Sequence, residues 1–558
     1  MLEESLRASA LFYDLSDEEL QPLVTKMRSE RFGRGQYIVR EGERGDKLYF
    51  IETGRVKVSA SRSAWPLCYL GPGDFFGEMS ALLPGYPRTA DVVAVIETEV
   101  RSLSRTDLEQ LLLSRPQIAL RFNQMIVERT IGQPTTPWSD VHSLITVWGS
   151  NGADLAVALA PYALKPQPRG QRDVSLLPLP GAPPVSEDHL PHGIVLLKND
   201  TLDEDSLAVS LSHQPSIHRH TLVVLPDADT ALARQAVAIS EVTVSLGEPP
   251  AWLRQLASAE RLYIIQEPTQ FELERLARDL AGLTVGVALS SGGSRGLAHL
   301  TVLTTLREAG VPIDMIAGSS LGAFFGACFA TGWPEEKLRE IAFELNRLTQ
   351  RPQWYMILRG GLGLAFQGGL LRGRHLRNAL DRLLEGRHFS DLEIPMVMVA
   401  ADVETGRPIE FDSGPLADAI RASMSLPGIF APWRYQGHYC MDGGITNPLP
   451  ADVLRDRGIH VVIASNATHL ADPTSPEELA RQPSFLEIVT NMQFIAETER
   501  LERLSELVDV SIDLPGLPMR HAFDFTHAED YLAAGREAAR ARLLKVWQTL
   551  GLDQYVLR

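Results

Sequence analysis

Apolar positions near the start of the chain recur at helical spacing. Leu20, Leu23, Val24 and Met27 share one helical face, and Ser16-Asp-Glu-Glu19 ahead of them reads as a capping box. Then the period changes. Tyr37-Ile-Val-Arg40, Lys47-Leu-Tyr-Phe-Ile51, Arg55-Val-Lys-Val58 and Asp91-Val-Val-Ala-Val95 have the length and side-chain type of short strands. Glycines at 33, 35, 42, 45, 54, 71, 73, 77 and 85 punctuate them. Short strands separated by glycine turns predict a β jelly-roll barrel. Thr106–Leu113 and Gln117–Arg129 are then expected to be helices.

From about 140 the apolar runs become longer and lose their alternation. Ser143-Leu-Ile-Thr-Val-Trp148, Gly193-Ile-Val-Leu-Leu197, Thr221-Leu-Val-Val-Leu225, Val242-Thr-Val-Ser-Leu246 and Arg261-Leu-Tyr-Ile-Ile265 are mostly separated by helix-length segments. That pattern predicts a small α/β domain around a buried parallel sheet. Proline-rich Pro166 to Pro184 is expected to be an exposed loop. Further on, Thr284–Leu289 and Met315–Ala317 are buried-strand patterns, each followed by a glycine-rich turn and a helix. Pro483–Leu504 and Ala528–Leu550 read as helices.

The expected organisation is multidomain: a barrel with helices at 1–132, an intervening α/β domain at 140–280, and a further α/β domain with C-terminal helices at 281–558. Net charge is −17, which argues against nonspecific nucleic-acid binding and against a broadly basic membrane-docking face. Cys68, Cys328 and Cys440 are far apart and lack metal-ligand spacing, so reduced thiols and no metal are expected. The opening Met-Leu-Glu-Glu-Ser is unlike a signal peptide, and no apolar run approaches the ~18–20 residues that span a bilayer. A cytoplasmic location is expected, with peripheral contact to a membrane left open.

Chemistry concentrates at three places in the last region. Gly318-Ser-Ser320-Leu-Gly322 stands between a strand and a helix of small residues, Ala323–Ala330. G-x-S-x-G at such a turn exposes its central serine at a helix N-terminus, where developing negative charge is favoured. Ser290-Ser-Gly-Gly-Ser-Arg-Gly296 is a glycine-rich strand-to-helix turn that gathers backbone N–H groups into one concavity. Gly292-Gly-Ser294-Arg-Gly296 satisfies G-x-S-x-G as well, so by pattern alone Ser294 and Ser320 both qualify as nucleophiles. Met441-Asp442-Gly443-Gly444 supplies a carboxylate base. A Ser-His-Asp triad using His299, His438 or His460 stays open from these residues.

Taken in order, the S-G-G-S-R-G loop, the G-S-S-L-G elbow and D-G-G resemble a patatin-like phospholipase, nearest to bacterial relatives of neuropathy target esterase. Arg421-Ala-Ser-Met-Ser-Leu-Pro-Gly428 and the run from Cys440 to Ala451 support the resemblance. It implies that Ser320 is the nucleophile and Asp442 its base. It also implies that Gly292, Gly293 and Ser294 offer oxyanion N–H groups, with Arg295 close by, and that no metal is needed. Ser290-Ser291 is poorer in glycine than that family's loop usually is.

In the barrel, Phe76-Gly77-Glu78-Met-Ser-Ala-Leu82 followed by Pro87-Arg88-Thr89-Ala-Asp-Val92 resembles the phosphate-binding cassette of cyclic-nucleotide-binding domains. That implies Gly77 and Glu78 on the ribose, and Arg88 and Thr89 on the cyclic phosphate of cAMP or cGMP. An arginine there can form a bidentate pair with the phosphate.

Together the two resemblances imply a serine hydrolase of phospholipid or lysophospholipid acyl esters, working at a membrane or micelle surface and modulated by cyclic nucleotide. Oligomerisation is left open. The alternative is a cyclic-nucleotide-binding signalling protein whose patatin-like domain is an interaction module. The stretch from Gln353 to Phe366, then Arg372, Arg374, Arg377 and Arg382, fits either a lid with arginines for head groups or a helix pair with a solvated basic face.

Overall fold

The computed structural model describes residues 24–550 apart from several stretches, the longest being 60–65, 123–143, 164–173, 198–206, 351–373 and 469–484. The capping box at Ser16–Glu19, most of the Gln117–Arg129 helix, and the stretch from Gln353 to Arg372 therefore lie outside the described residues. The chain divides into two compact units, Met1–Gly282 and Leu283–Arg558.

The glycine-punctuated region forms two antiparallel sheets. Its strands are β1 (Arg28–Phe32), β2 (Tyr37–Val39), β3 (Lys47–Thr53), β4 (Val56–Ser59), β5 (Pro66–Leu70), β6 (Phe75–Phe76), β7 (Asp91–Ala94) and β8 (Thr98–Ser104). One sheet has the order β1-β8-β3-β6 and the other β2-β7-β4-β5. Val39, Tyr49, Ile51, Val56, Phe76, Val92 and Val100, drawn from both sheets, form a core between them. This is the jelly-roll packing that the short strands predict.

The next strands are β9 (Leu144–Trp148), β10 (Val174–Pro178), β11 (Ile194–Leu196), β12 (His220–Leu225), β13 (Val242–Leu246) and β14 (Leu262–Ile265). They pair in the order β11-β10-β12-β9-β13-β14, every pairing parallel. β10 corrects the loop expected over Pro166–Pro184. Val174, Leu176 and Leu177 are fully buried, and Ser175 Oγ donates to Thr221 Oγ1 at 2.9 Å inside the sheet. The prolines before 178 all precede this apolar run, and Pro178 is the last residue of the strand, where a missing N–H costs the ladder least.

The second unit is built on one mixed sheet. Its strands are β15 (Val285–Leu289), β16 (Met315–Ser319), β17 (Met396–Asp402), β18 (Pro408–Phe411), β19 (Trp433–Tyr435), β20 (His438–Met441), β21 (Val461–Asn466) and β22 (Val510–Asp513). The order is β19-β20-β17-β16-β15-β21-β22, with β18 also pairing β17. The central pairs β17-β16, β16-β15, β15-β21 and β21-β22 are parallel. Helices α1 (Ala298–Glu308), α2 (Leu321–Ala330), α3 (Phe485–Ser505) and α4 (Ala528–Leu550) belong to this unit. Small residues let α2 lie close on the sheet. A Cβ at Gly326 would stand 2.8 Å from both Leu289 Cδ1 and Met396 Cε. Among the described residues no helix is long and apolar enough to cross a membrane.

Candidate active site

β15 and β16 are neighbours, so the turns that follow them sit side by side at the carboxyl edge of the sheet, where open α/β folds hold ligands. The turn after β16 is the sharp one. Ser320 has φ 54° and ψ −124°, a left-handed conformation that a residue with a side chain adopts only when its surroundings enforce it. The flanking glycines are what permit it. A Cβ at Gly318 would lie 2.8 Å from the backbone of Ala323, and one at Gly322 would lie 2.5 Å from Ser290 O and 2.7 Å from Leu289 O. The serine N–H is held as well: it donates to Ser423 Oγ at 2.8 Å, and Ser423 Oγ donates to Val399 O at 2.6 Å.

Asp442 follows β20 and reaches the same place. Ser320 Oγ donates to Asp442 Oδ2 at 2.7 Å. The other carboxylate oxygen accepts from Gly444 N at 3.0 Å and from Gln493 Nε2 at 3.1 Å. Asp442 is 2% exposed, and burial pushes its carboxyl up to about 6, against the three hydrogen bonds that favour the ionised form. Gly443 and Gly444 make room. A Cβ on the first would stand 2.2 Å from Val399 O, and on the second 2.3 Å from Glu497 Oε1.

After β15, Gly293–Leu297 forms a 3-10 turn that runs into α1. The first N–H groups of such a turn have no partner within it. Gly293 has φ 58°, and a Cβ there would stand 2.9 Å from Ala522 Cα, so glycine is required on both counts. Gly292, Gly293, Ser320, Asp442 and Gln493 line one cleft together with Ser291 and the apolar Leu321, Leu426, Ala522 and Phe523.

The structure thus brings Ser320, Asp442, Gly292 and Gly293 together. It does not bring in the side chains of Ser294 and Arg295, which are buried away from the cleft lining. Ser294 is fully buried, and no hydrogen-bond partner for its hydroxyl is found among the described residues, so it lacks the base a nucleophile needs. The three histidines have other partners. His299 Nε2 meets Ser290 O at 3.0 Å and Nδ1 meets Ser465 Oγ at 2.7 Å, and burial pushes its imidazole down to about 4. His438 faces Asp402 and His460 faces Thr284.

Gln493, Glu497 and Ser423 are the neighbours that motif reading passes over. Gln493 and Glu497 come from α3, an i, i+4 pair on one helix face, far along the chain from D-G-G. Ser423 lies within the R-A-S-M-S-L-P-G stretch already singled out. Of the basic run, Arg377 is engaged by Asp418 at 2.9 Å and Asp381 at 3.1 Å. No cluster suited to a metal ion occurs among the described residues.

In the barrel, Gly77 (φ 86°) caps the short helix Glu78–Leu82. The Arg88 guanidinium donates to Gly77 O at 3.0 Å and to Lys47 O at 3.1 Å. It fills the space that side chains at Gly45 and Gly77 would take, a Cβ there standing 2.2 Å and 2.4 Å from it. Glu78 is among the carboxylates whose charge favours the Arg88 cation, and Thr89 is exposed next to it. The four cassette residues are therefore gathered at one corner of the barrel.

The second unit thus holds an elbow serine, a buried aspartate and a glycine-rich turn in one cleft, and the first carries a barrel with Arg88 seated against Gly77 and Lys47. Comparison with known proteins finds a family match in each unit. Residues 287–455 match the patatin-like phospholipase family and residues 29–115 the cyclic nucleotide-binding domain. Relatives include human patatin-like phospholipase domain-containing protein 6, 25% identical over 523 residues, covering 77% of this chain and 37% of that protein. An NTE family protein of Mycobacterium tuberculosis H37Rv is 27% identical over 591 residues, covering 97% of this chain and 96% of its own. The chain thus spans 37% of the length of the mammalian relatives it matches first. Among solved structures, the Thermus thermophilus catabolite activator protein aligns over 28% of this chain and 70% of its own, at 27% identity and a TM-score of 0.21.

Proposed function

We propose that the chain is a serine hydrolase that cleaves acyl esters of phospholipids or lysophospholipids with a Ser320–Asp442 dyad. The observation that carries this is the 2.7 Å hydrogen bond from Ser320 Oγ to a buried Asp442, at an elbow whose strain points the serine into a cleft. Asp442 takes the proton of Ser320 as its oxygen attacks the acyl carbonyl. Above a pH of about 6 the aspartate is ionised and still basic enough to serve. The backbone N–H groups of Gly292, Gly293 and Ser294 receive the oxyanion, the term that usually contributes most to such catalysis. Arg295 adds positive charge behind that loop. The leaving alcohol takes the proton from Asp442, and water then releases the acyl group by the same steps in reverse.

The reading divides the chain into a nucleotide-binding domain at 1–132, an intervening domain at 140–280 and the hydrolase with its C-terminal helices at 281–558. Gly77 and Glu78 bind the ribose of cAMP or cGMP, while Arg88 and Thr89 bind its phosphate. Occupancy of that site modulates hydrolysis. The enzyme works in the cytoplasm, in transient contact with a membrane or micelle surface. Release of fatty acid from diacyl and monoacyl phosphatidylcholine in mixed micelles tests the reading, with each nucleotide present and absent. Turnover that Ser320→Ala abolishes is expected. Turnover undiminished in that variant would overturn the dyad.

A further inference from the structure

Glu497 is fully buried, yet the reaction just described does not use it. Its Oε2 accepts from Ser291 Oγ at 2.6 Å, and Ser291 lies in the turn that carries the oxyanion N–H groups. Its Oε1 accepts from Gln493 Nε2 at 2.7 Å. The same amide nitrogen donates its second hydrogen to Asp442 Oδ1 at 3.1 Å. The bridge therefore runs from the glycine-rich turn, through one carboxyl and one amide, to the base. It also accounts for the second glycine of D-G-G, because a Cβ at Gly444 would stand 2.3 Å from Glu497 Oε1.

We propose that Glu497 and Gln493 are positioning residues that lock the oxyanion turn and Asp442 into one arrangement. The proposal rests on the hydrolase reading above. With Oδ1 of Asp442 occupied by two N–H donors, Oδ2 is left to Ser320. Were the Gln493 amide reversed, its oxygen would face two carboxyl groups, so Glu497 fixes the amide and the amide fixes Asp442.

The bridge also holds with Glu497 protonated. A proton on Oε2 donates to Ser291 Oγ, whose own hydroxyl then turns to Thr468 Oγ1 at 3.3 Å. The charged groups facing Glu497 are Asp442 from the D-G-G segment, Arg500 on its own helix and Arg295 from the glycine-rich turn. Burial, helped by the Asp442 charge, pushes the Glu497 carboxyl up to about 8, so the neutral form holds at neutral pH. Above that, a second negative charge beside Asp442 and the oxyanion turn opposes the transition state.

The test is steady-state kinetics of the full chain on a soluble ester from pH 5 to 10, with unfolding curves for each variant. Glu497→Gln copies the protonated acid. It is expected to keep kcat within about 2-fold of the parent and to remove the fall in rate above pH 8. Glu497→Ala should lower kcat roughly 10-fold with KM little changed, since it leaves Ser291 and Gln493 without their buried partner. Gln493→Leu should lower kcat similarly while leaving residue 497 in place, which keeps the test decisive if the alanine variant does not fold. Parent-like kcat in Gln493→Leu, a Glu497→Gln variant as impaired as Glu497→Ala, or an unchanged alkaline limb in Glu497→Gln would each overturn the bridge. A parent protein with no turnover and no reaction of Ser320 with a fluorophosphonate would instead overturn the hydrolase reading and the bridge with it.

Discussion

Asp442→Asn should make this protein more stable and nearly inactive at once. Asp442 is buried, and its carboxyl titrates near 6 in the folded chain against an ordinary value of 3.8. A rise from 3.8 to about 6, at 1.36 kcal/mol per pH unit, is ~3 kcal/mol. The sign follows from proton binding. Between these two values the folded state holds a proton that the unfolded state has lost. Stability is therefore fully present below 3.8 and declines as pH rises through about 6. Asparagine keeps an acceptor for Gly444 and Gln493 and can donate to Ser320 Oγ, but it never carries the charge. The variant should match the parent at pH 4 and exceed it by up to ~3 kcal/mol at pH 8. Activity should fall ~100- to 10,000-fold, the range for loss of a general base. Denaturant unfolding at the two pH values measures the first, and turnover of an activated ester at pH 8 measures the second. A variant that is destabilised equally at both pH values, or that keeps its rate, would refute the assignment of Asp442 as a buried base.

Three further expectations follow from the same geometry. Gly322→Ala places a Cβ 2.5 Å and 2.7 Å from two backbone carbonyl oxygens, which cannot swing aside, so the catalytic unit should lose ~1–3 kcal/mol in denaturant unfolding. Ser423→Ala removes the acceptor for the Ser320 N–H and should lower kcat about 10-fold, measured on a soluble ester, because a buried donor loses its partner. Arg88→Ala should weaken cyclic-nucleotide binding ~10- to 100-fold by titration calorimetry, with ester hydrolysis in the absence of nucleotide unchanged.

The geometry of the candidate site was largely legible in the sequence because it depends on local backbone demands. Glycines at 318 and 322 are required by the turn itself, and those at 443 and 444 by the close approach of Val399 O and of the Glu497 carboxyl, so motif spacing carried the elbow and the carboxylate. Pattern alone left Ser294 level with Ser320. Only burial and the presence of a carboxylate partner separate them, and both are tertiary facts. Strand β10 was hidden because proline content averaged over nineteen residues outweighed the short apolar run from Val174 to Leu177. Glu497 and Gln493 were invisible for a different reason. Their spacing on α3 looks like any solvated helix pair, and what sets them apart is the glycine at 444, some fifty residues earlier, whose missing side chain admits the glutamate.

An activated Ser320 is what the hydrolase reading requires above all. Peptide mass spectrometry after fluorophosphonate labelling, with and without cAMP or cGMP, reads it out. A label on Ser320 alone is expected, absent in Asp442→Asn, with a labelling rate that changes when nucleotide is present. A label on Ser294 would contradict the account by reversing the elbow and the oxyanion turn. No label in any state would contradict it in favour of a nucleotide-binding protein whose patatin-like domain serves only as an interaction module.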